Sequence, residues 1–384
     1  MAWTWPWAPR PRGTSAPETK AGGGFVALHM QGDALWTRRD YPTLAREGYM
    51  RNPVVHRAVT VVSQAAAALP VLLYDGEEEL AEHPLLDLIA RPNQRAARAV
   101  FLETLYGHLL MAGNAYVELV EAGNARELHL LRPDRVSVVA DEACWPVALE
   151  HREGAAKRRV ALGDDGTALH VRLFHPLDDH YGMPPLQAAS MALDIHNAAA
   201  RWNKALLDNS ARPSGALVYA PKEGGNLSEE QYERLKEELA EGYSGASRAG
   251  RPMLLEGGLD WKAMGLTPRD MDFIEAKNAA SRDIALAFGV PPMVLGIPGD
   301  NTYSNYQEAN RALYRLTVLP LAGRILGELG NWLGARFGGR LRLDYDADKV
   351  EGVAAERAAL WARIGAADFL SEDEKREALG YSPR

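Results

Sequence analysis

The sequence holds a single cysteine, Cys144, among 384 residues. That excludes an intramolecular disulfide framework and any cysteine-based zinc site. No G-x-x-x-x-G-K-[ST] run occurs, so there is no Walker phosphate cradle and no mark of a motor ATPase. No G-x-S-x-G elbow occurs either; Gly242-Tyr243-Ser244-Gly245-Ala246 lacks the final glycine. Positive charge is not in excess. The 43 Lys and Arg against 51 Asp and Glu leave a formal charge of −8, the wrong sign for tight nonspecific DNA binding. Long apolar runs are also missing. The longest uncharged stretch, Ala58 to Tyr74, is interrupted by Ser63, Gln64 and Pro70. It falls short of the ~20 apolar residues that a membrane span needs. Residues 1–24 lack the apolar core of a signal peptide. His175, Asp178, Asp179 and His180 stand close together, but in a turn rich in Pro and Gly rather than on fixed elements, so they read as a turn and not as metal ligands. The glycines between 242 and 258 follow no strand and open no helix, so they too read as a turn. No catalytic set, metal site or cofactor site is expected.

What is present describes a globular chain. Hydrophobic residues make up 47% and charged residues 24%, and the length suits two or three domains. Residues 1–24 alternate Trp3, Trp5 and Trp7 with Pro6, Pro9 and Pro11 and end in three glycines. They read as a disordered arm, or alternatively as a docking peptide anchored by its tryptophans. A helix is expected from Pro53 to about Leu69, then a strand Val71–Tyr74 closed at Asp75-Gly76. His83-Pro84 opens a short helix stopped at Arg91-Pro92-Asn93. Leu102, Leu105, Leu109 and Leu110 give a helical period over Phe101–Met111, ended by Gly113-Asn114. Ala115–Val120 alternates as a strand, with Tyr116 and Glu118 on one face. Leu128–Leu131, Val136–Val139, Val147–His151 and Leu169–Phe174 read as further strands. The class is α+β, an antiparallel sheet with helices packed on it.

Two long helices follow, over 184–209 and 268–288. They bracket a small α/β module with strands at Leu217–Tyr219, Met253–Leu255 and Leu259–Lys262 and a capping box at Ser228–Gln231. Thr267-Pro268 starts the second helix, and Gly289 with Pro291-Pro292 stops it. After a polar loop, Ser304-Asn305-Tyr306-Gln307 reads as a helix start, and the helix runs to Phe337 with a kink expected at Pro320. Ser371–Glu374 starts a last short helix. The apolar positions Ile274, Ala280, Ile284, Phe288, Leu313 and Leu316 exceed what one stripe needs, which predicts a subunit interface.

Four stretches, taken in order, resemble the portal proteins of tailed bacteriophages of the lambdoid siphophage type, and those of prophage-derived gene transfer agents. They are Asn52-Pro53-Val54-Val55 leading to Leu69-Pro70-Val71; His83-Pro84-Leu85-Leu86 with Pro92-Asn93; Gly113-Asn114-Ala115-Tyr116; and Phe288 to Pro292 with Thr302-Tyr303-Ser304-Asn305 and Leu319-Pro320-Leu321. The resemblance implies a portal fold. After the arm 1–24, it implies a wing of 25–180 and 289–350, stem helices in 181–215 and 267–288, and a clip of 216–266. It implies a tunnel loop of 296–304, a long helix of 305–337 and a short helical crown of 351–384. It implies a twelve-subunit ring at one capsid vertex that conducts double-stranded DNA in packaging and ejection. The implied partners are the terminase large subunit, a head–tail adaptor and the major capsid protein, with no membrane. The implied place is a virion or phage-like particle assembled in the bacterial cytoplasm. Ile297, Pro298, Gly299, Asp300, Asn301, Thr302 and Tyr303 would line the channel. Lys222, Arg234, Lys236, Arg248, Arg251 and Lys262 are the clip cations that would offset the ring's negative field. A structural adaptor or scaffold without a DNA channel is the alternative.

Overall fold

The structure is a computed structural model whose described residues are 37–123, 125–163, 166–208, 215–219, 228–231, 233–234, 259–263, 273–299, 302–338 and 340–381. The N-terminal arm, the strand expected at 253–255 and the helix start at Thr267-Pro268 lie outside them. The chain divides into two units: residues 1–35 with 208–265, and residues 36–207 with 266–384.

In the larger unit, α1 (Tyr41–Leu44) runs directly into a π-helical turn, Ala45–Tyr49. Helix α2 (Pro53–Ala67) starts where the sequence places it. The Asn52 side chain accepts from the Val54 and Val55 amides, and Pro53 occupies the first turn, where its missing N–H is no loss. Helix α3 (Pro84–Ala90) uses the same device, with His83 Nδ1 accepting from Leu85 N. Helix α4 (Arg98–Ala112) stops at Gly113, whose φ of 71° is left-handed.

Strand β1 (Val71–Asp75) pairs with a two-residue β2 (Glu78–Glu79) on one edge. Three antiparallel strands, β4 (Ala125–Leu131), β3 (Asn114–Ala122) and β8 (Ala168–Arg172), form a second sheet. A third is built from β5 (Val136–Ala140), β6 (Pro146–Glu153) and β7 (Ala156–Ala161). Strand β3 is covered on both faces. Ala115, Val117 and Leu119 join the main core with α2 and α4, while Tyr116 faces a second cluster with Leu131, Val136, Leu149 and Val160. This double burial explains why Glu118, on the Tyr116 face, is only 6% exposed. Its carboxylate takes both guanidinium nitrogens of Arg158 from β7, so the charge is paired and not stranded.

The helix expected over 184–209 is divided. A short α5 (Pro185–Ala188) is separated from α6 (Ser190–Asp208) by Ala189 at φ −88°, ψ 11°. Fully buried Leu186 and Leu193 flank the break. The next helix, α7 (Phe273–Ala287), ends at Gly289 and leads into a 3-10 turn, Pro292–Leu295. The long helix is a composite of α8 (Tyr303–Leu313), a π turn (Tyr314–Val318) and α9 (Leu319–Phe337). Two expectations are corrected here. The N-cap is Thr302, whose side chain accepts from Asn305 N, and not Ser304. The irregularity also comes before Pro320 and not at it. Leu319 N reaches back five residues to Tyr314 O, so the widened turn precedes the residue that has no N–H to give.

Strand β11 (Leu341–Tyr345) pairs antiparallel with β1, from Val71↔Tyr345 to Asp75↔Leu341. Helices α10 (Ala354–Gly365) and α11 (Glu372–Ala378) close the chain, the latter on a reciprocal Ser371–Glu374 capping box.

In the smaller unit, β9 (Gly215–Tyr219) and β10 (Leu259–Ala263) form an antiparallel pair. Ser228 and Gln231 cap one another as expected, at 3.0 and 3.2 Å.

Candidate functional site

The segment between β8 and α6 is held at both ends by an asparagine with every polar atom used. Asn114 Oδ1 accepts from Gly182 N at 2.8 Å and from His170 Nε2 at 2.9 Å. Its Nδ2 donates to Ala112 O at 2.8 Å and Gly182 O at 3.2 Å. Burial drives the His170 imidazole down to about 4, so it is neutral at physiological pH and free to present one N–H. The backbones meet so closely that a Cβ on Gly113 would stand 2.3 Å from Gly182 O. At the far end Asn52 does the same for α6. Its Nδ2 donates to His196 Nδ1 at 3.0 Å and Asn197 Oδ1 at 2.9 Å, while Oδ1 caps α2. Burial first, and the Lys277 ammonium next, lower the His196 pKa and keep its ring an acceptor. Asn197 Nδ2 in turn donates to Glu47 O at 3.0 Å. Motifs quoted from the sequence for their order are thus clamps that fix α6 and the segment before it against α2 and β3. Their spacing named the residues; nothing in it named their partners.

The turn before α6 also has a local explanation. Asp178 Oδ1 accepts from His180 N and Tyr181 N, and His175 Nδ1 accepts from Leu177 N. These side chains are engaged in shaping the turn.

The candidate channel loop begins from a fixed base. Ile297 is 7% exposed and its amide returns to Pro292 O at 3.1 Å. Pro298 and Gly299 are exposed, and Arg282 from α7 donates to Pro298 O at 2.6 Å. Asp300 and Asn301 lie outside the described residues, as does the side chain of Tyr303. Thr302 is exposed and spends its hydroxyl as the α8 cap. Residues 296–304 carry no Lys or Arg of their own. The sequence does not show that α7 brings one, because the approach is made across 16 positions of chain.

The same junction ties α7 to the composite helix. Gly289 has φ 64°, and Thr317 Oγ1, from the π turn, donates to Gly289 O at 2.6 Å. A Cβ at Gly289 would lie 2.6 Å from that hydroxyl, so the close approach requires glycine.

The predicted interface residues fall into two groups. Ala280, Ile284, Phe288 and Leu313 are between 0% and 3% exposed inside the chain's own core, so they cannot face a neighbour. This corrects the interface assignment for these four: the apolar excess packs α7 on α2 and α5, and Leu313 joins the same core. Ile274 at 72% and Leu316 at 67% are exposed, and so is Leu286 at 78%, which the sequence reading did not single out. Of the six candidate clip cations, Arg234 is exposed on a helical turn, and Lys262 lies in β10 opposite Ala216. Lys222, Lys236, Arg248 and Arg251 lie outside the described residues.

No group of His, Cys, Asp or Glu able to hold a metal occurs among the described residues, and no helix among them is long and apolar enough to cross a membrane. Comparison with known proteins gives a consistent set. The model of a family described as phage portal protein matches residues 53–380. A protein of Rickettsia bellii is 40% identical over 87% of this chain and 88% of its own length. The probable portal protein of Streptomyces phage phiC31 is 26% identical, covering 86% of this chain and 74% of that one. A chain in the neck of a native gene transfer agent particle, computed with C12 symmetry, superposes with a TM-score of 0.70. It is 52% identical, across 91% of this chain and 96% of that one.

Proposed function

The chain belongs to the phage portal protein family, and from that premise we propose that twelve copies close into a ring at one vertex of a gene-transfer-agent-type particle and conduct double-stranded DNA. The observation that carries this reading is the 52% identity, over 91% of the chain, with a chain from a particle neck of C12 symmetry. Residues 216–266 would then be the clip that meets the terminase large subunit during packaging and a head–tail adaptor afterwards. The wing would sit among copies of the major capsid protein. The sequence carries no Walker motif, and on this reading the energy for packaging would come from the terminase.

A conduit must let phosphates slide and not hold them. Twelve copies at a formal −8 each give a field that discourages binding, screened over about 8 Å in physiological salt. Loop 296–304 is the proposed constriction. Asp300 would form an acidic ring and Tyr303 an aromatic one, with Arg282 as a tethered cation at its base. Asp300→Lys should turn the ring into a phosphate clamp. Packaging should slow or DNA be retained, with the defect fading as salt rises; normal transit at low and high salt would show that this loop does not reach the DNA.

Mass photometry with negative-stain microscopy tests the ring itself. The expected particle has about twelve times the 42.0 kDa chain mass and a central hole. A compact monomer, or an irregular assembly, contradicts the proposal. The purified ring should also show no ATP turnover above background.

A further inference from the structure

The C-terminal pair of helices carries a knob and a hole. The knob is Phe369, in the turn between α10 and α11, and 86% exposed. The turn that presents it is tied by Ala367 N to Ile364 O at 3.1 Å and by Leu370 N to Ala367 O at 3.4 Å. Next to it Asp368 is exposed and has no hydrogen-bond or ion-pair partner among the described residues. The hole is a cavity of about 310 Å³ walled by Trp361, Ile364, Leu379 and Tyr381, with Lys375 and Arg376 on its rim and Glu372 beside them.

The hole is preformed. Asp348 accepts from Arg357 Nε and from the Tyr381 hydroxyl, and Trp361 Nε1 lies 3.4 Å from the same carboxylate. The Trp361 and Tyr381 rings stand edge to face, 5.8 Å between centroids. Arg357 Nη2 holds the end of α11 through Leu379 O at 3.2 Å. A rigid apolar hole with a mainly basic rim suits an aromatic side chain that arrives beside a carboxylate. Asp368-Phe369 is such a pair: both residues are exposed, and neither lines the hole of its own chain.

We propose that Phe369 of each copy seats in the Trp361–Leu379 hole of the next copy, with Asp368 facing Lys375. This rests on the ring reading above. A closed ring uses head-to-tail contacts, which require two different, complementary patches on one chain. Knob and hole on a single module meet that requirement, and one contact repeated at every seam would lock the ends of the chains together.

Disulfide trapping tests it in the full chain. In a Cys144→Ser background, Phe369→Cys with Leu379→Cys should give, on mild oxidation, a ladder of covalent multimers that collapses to monomer on reduction. Each single-cysteine variant should stay monomeric on the same denaturing gel. Asp368→Lys should lower the salt at which rings fall apart at least several-fold, and Asp368→Lys with Lys375→Glu should restore it. Intact rings by mass photometry with no ladder, or with an intrachain product alone, overturn the seating while leaving the ring standing. Absence of rings from the Cys144→Ser parent overturns both.

Discussion

Gly113→Ala adds one methyl group at the point where the α4–β3 turn meets the segment leading to α6. Two costs follow. The residue sits at φ 71°, which charges an L side chain about 1 kcal/mol. The new Cβ would also stand 2.3 Å from Gly182 O and 2.7 Å from the Met183 carbonyl carbon. Both are backbone atoms, so no rotamer relieves the contact and the 182–183 segment must move. Gly182 N then leaves Asn114 Oδ1, and Leu173 N is pulled from Gly113 O, each bond being 2.8 Å long. Breaking buried hydrogen bonds of this kind costs about 1–3 kcal/mol each. The sum is about 3–7 kcal/mol, of the order of a whole domain's stability. Two other glycines separate the causes. Gly76 has φ 62° with nothing within 4 Å of a Cβ, so Gly76→Ala should cost only about 1 kcal/mol. Gly327 lies inside α9 with open space, so Gly327→Ala should be neutral or gain up to about 1 kcal/mol. Urea unfolding followed by far-ultraviolet circular dichroism ranks the three by midpoint. If Gly113→Ala unfolds together with Gly76→Ala, the close approach at Gly182 is not what requires glycine there.

Ile284→Asp should destabilise the chain itself by several kcal/mol, because the site is 0% exposed; Leu286→Asp, at a 78% exposed site, should keep a native circular dichroism spectrum and lose rings on a sizing column if that face seals neighbours. Hydrogen bonds from Arg357 above all, then from Tyr381 and Trp361, hold the Asp348 carboxyl down at about 2. A depressed carboxylate stabilises the fold above its unfolded value near 3.8 and loses that contribution as pH falls toward 2. About 2 kcal/mol should therefore disappear between pH 5 and pH 2 in the native chain, and Asp348→Asn should lack that share of the slope in urea midpoints. Thr317→Val removes the hydroxyl that reaches Gly289 O while keeping the shape, and should cost about 0.5–1.5 kcal/mol; an unchanged midpoint would mean that the tie contributes nothing.

Local chemistry was readable from sequence. Asn52-Pro53, His83-Pro84, Gly113 and Ser371–Glu374 set their boundaries with atoms a few residues apart, and each sits where the pattern puts it. What escaped depended on partners far along the chain. Strand β7 (Ala156–Ala161) buries Val160 alone, so its sequence shows no alternation; pairing with β6 makes it a strand. Leu341–Tyr345 does alternate, with Leu341 and Leu343 buried, but too briefly to stand out without β1 beside it. The π turns have no signature apart from the proline that follows one of them. For Ala280, Ile284, Phe288 and Leu313 the interface reading failed for a simpler reason. An apolar excess on a helix says that something covers it, and Ile284 and Phe288 are covered by their own chain. Of the candidate channel loop, the sequence showed the residues and the breaks on either side, but not the tether from Arg282.

The pairing of β1 with β11 also sets an order in time. A ribosome releases Val71–Asp75 long before Leu341–Tyr345, so β1 keeps an unpaired edge while everything between them is made. Closing so long a loop costs entropy that only the finished pair repays. The sheet therefore works as a check that the intervening chain has been made. Without Leu341–Tyr345 it lacks one of its three strands, and the edge of Val71–Asp75 stays open until that segment arrives.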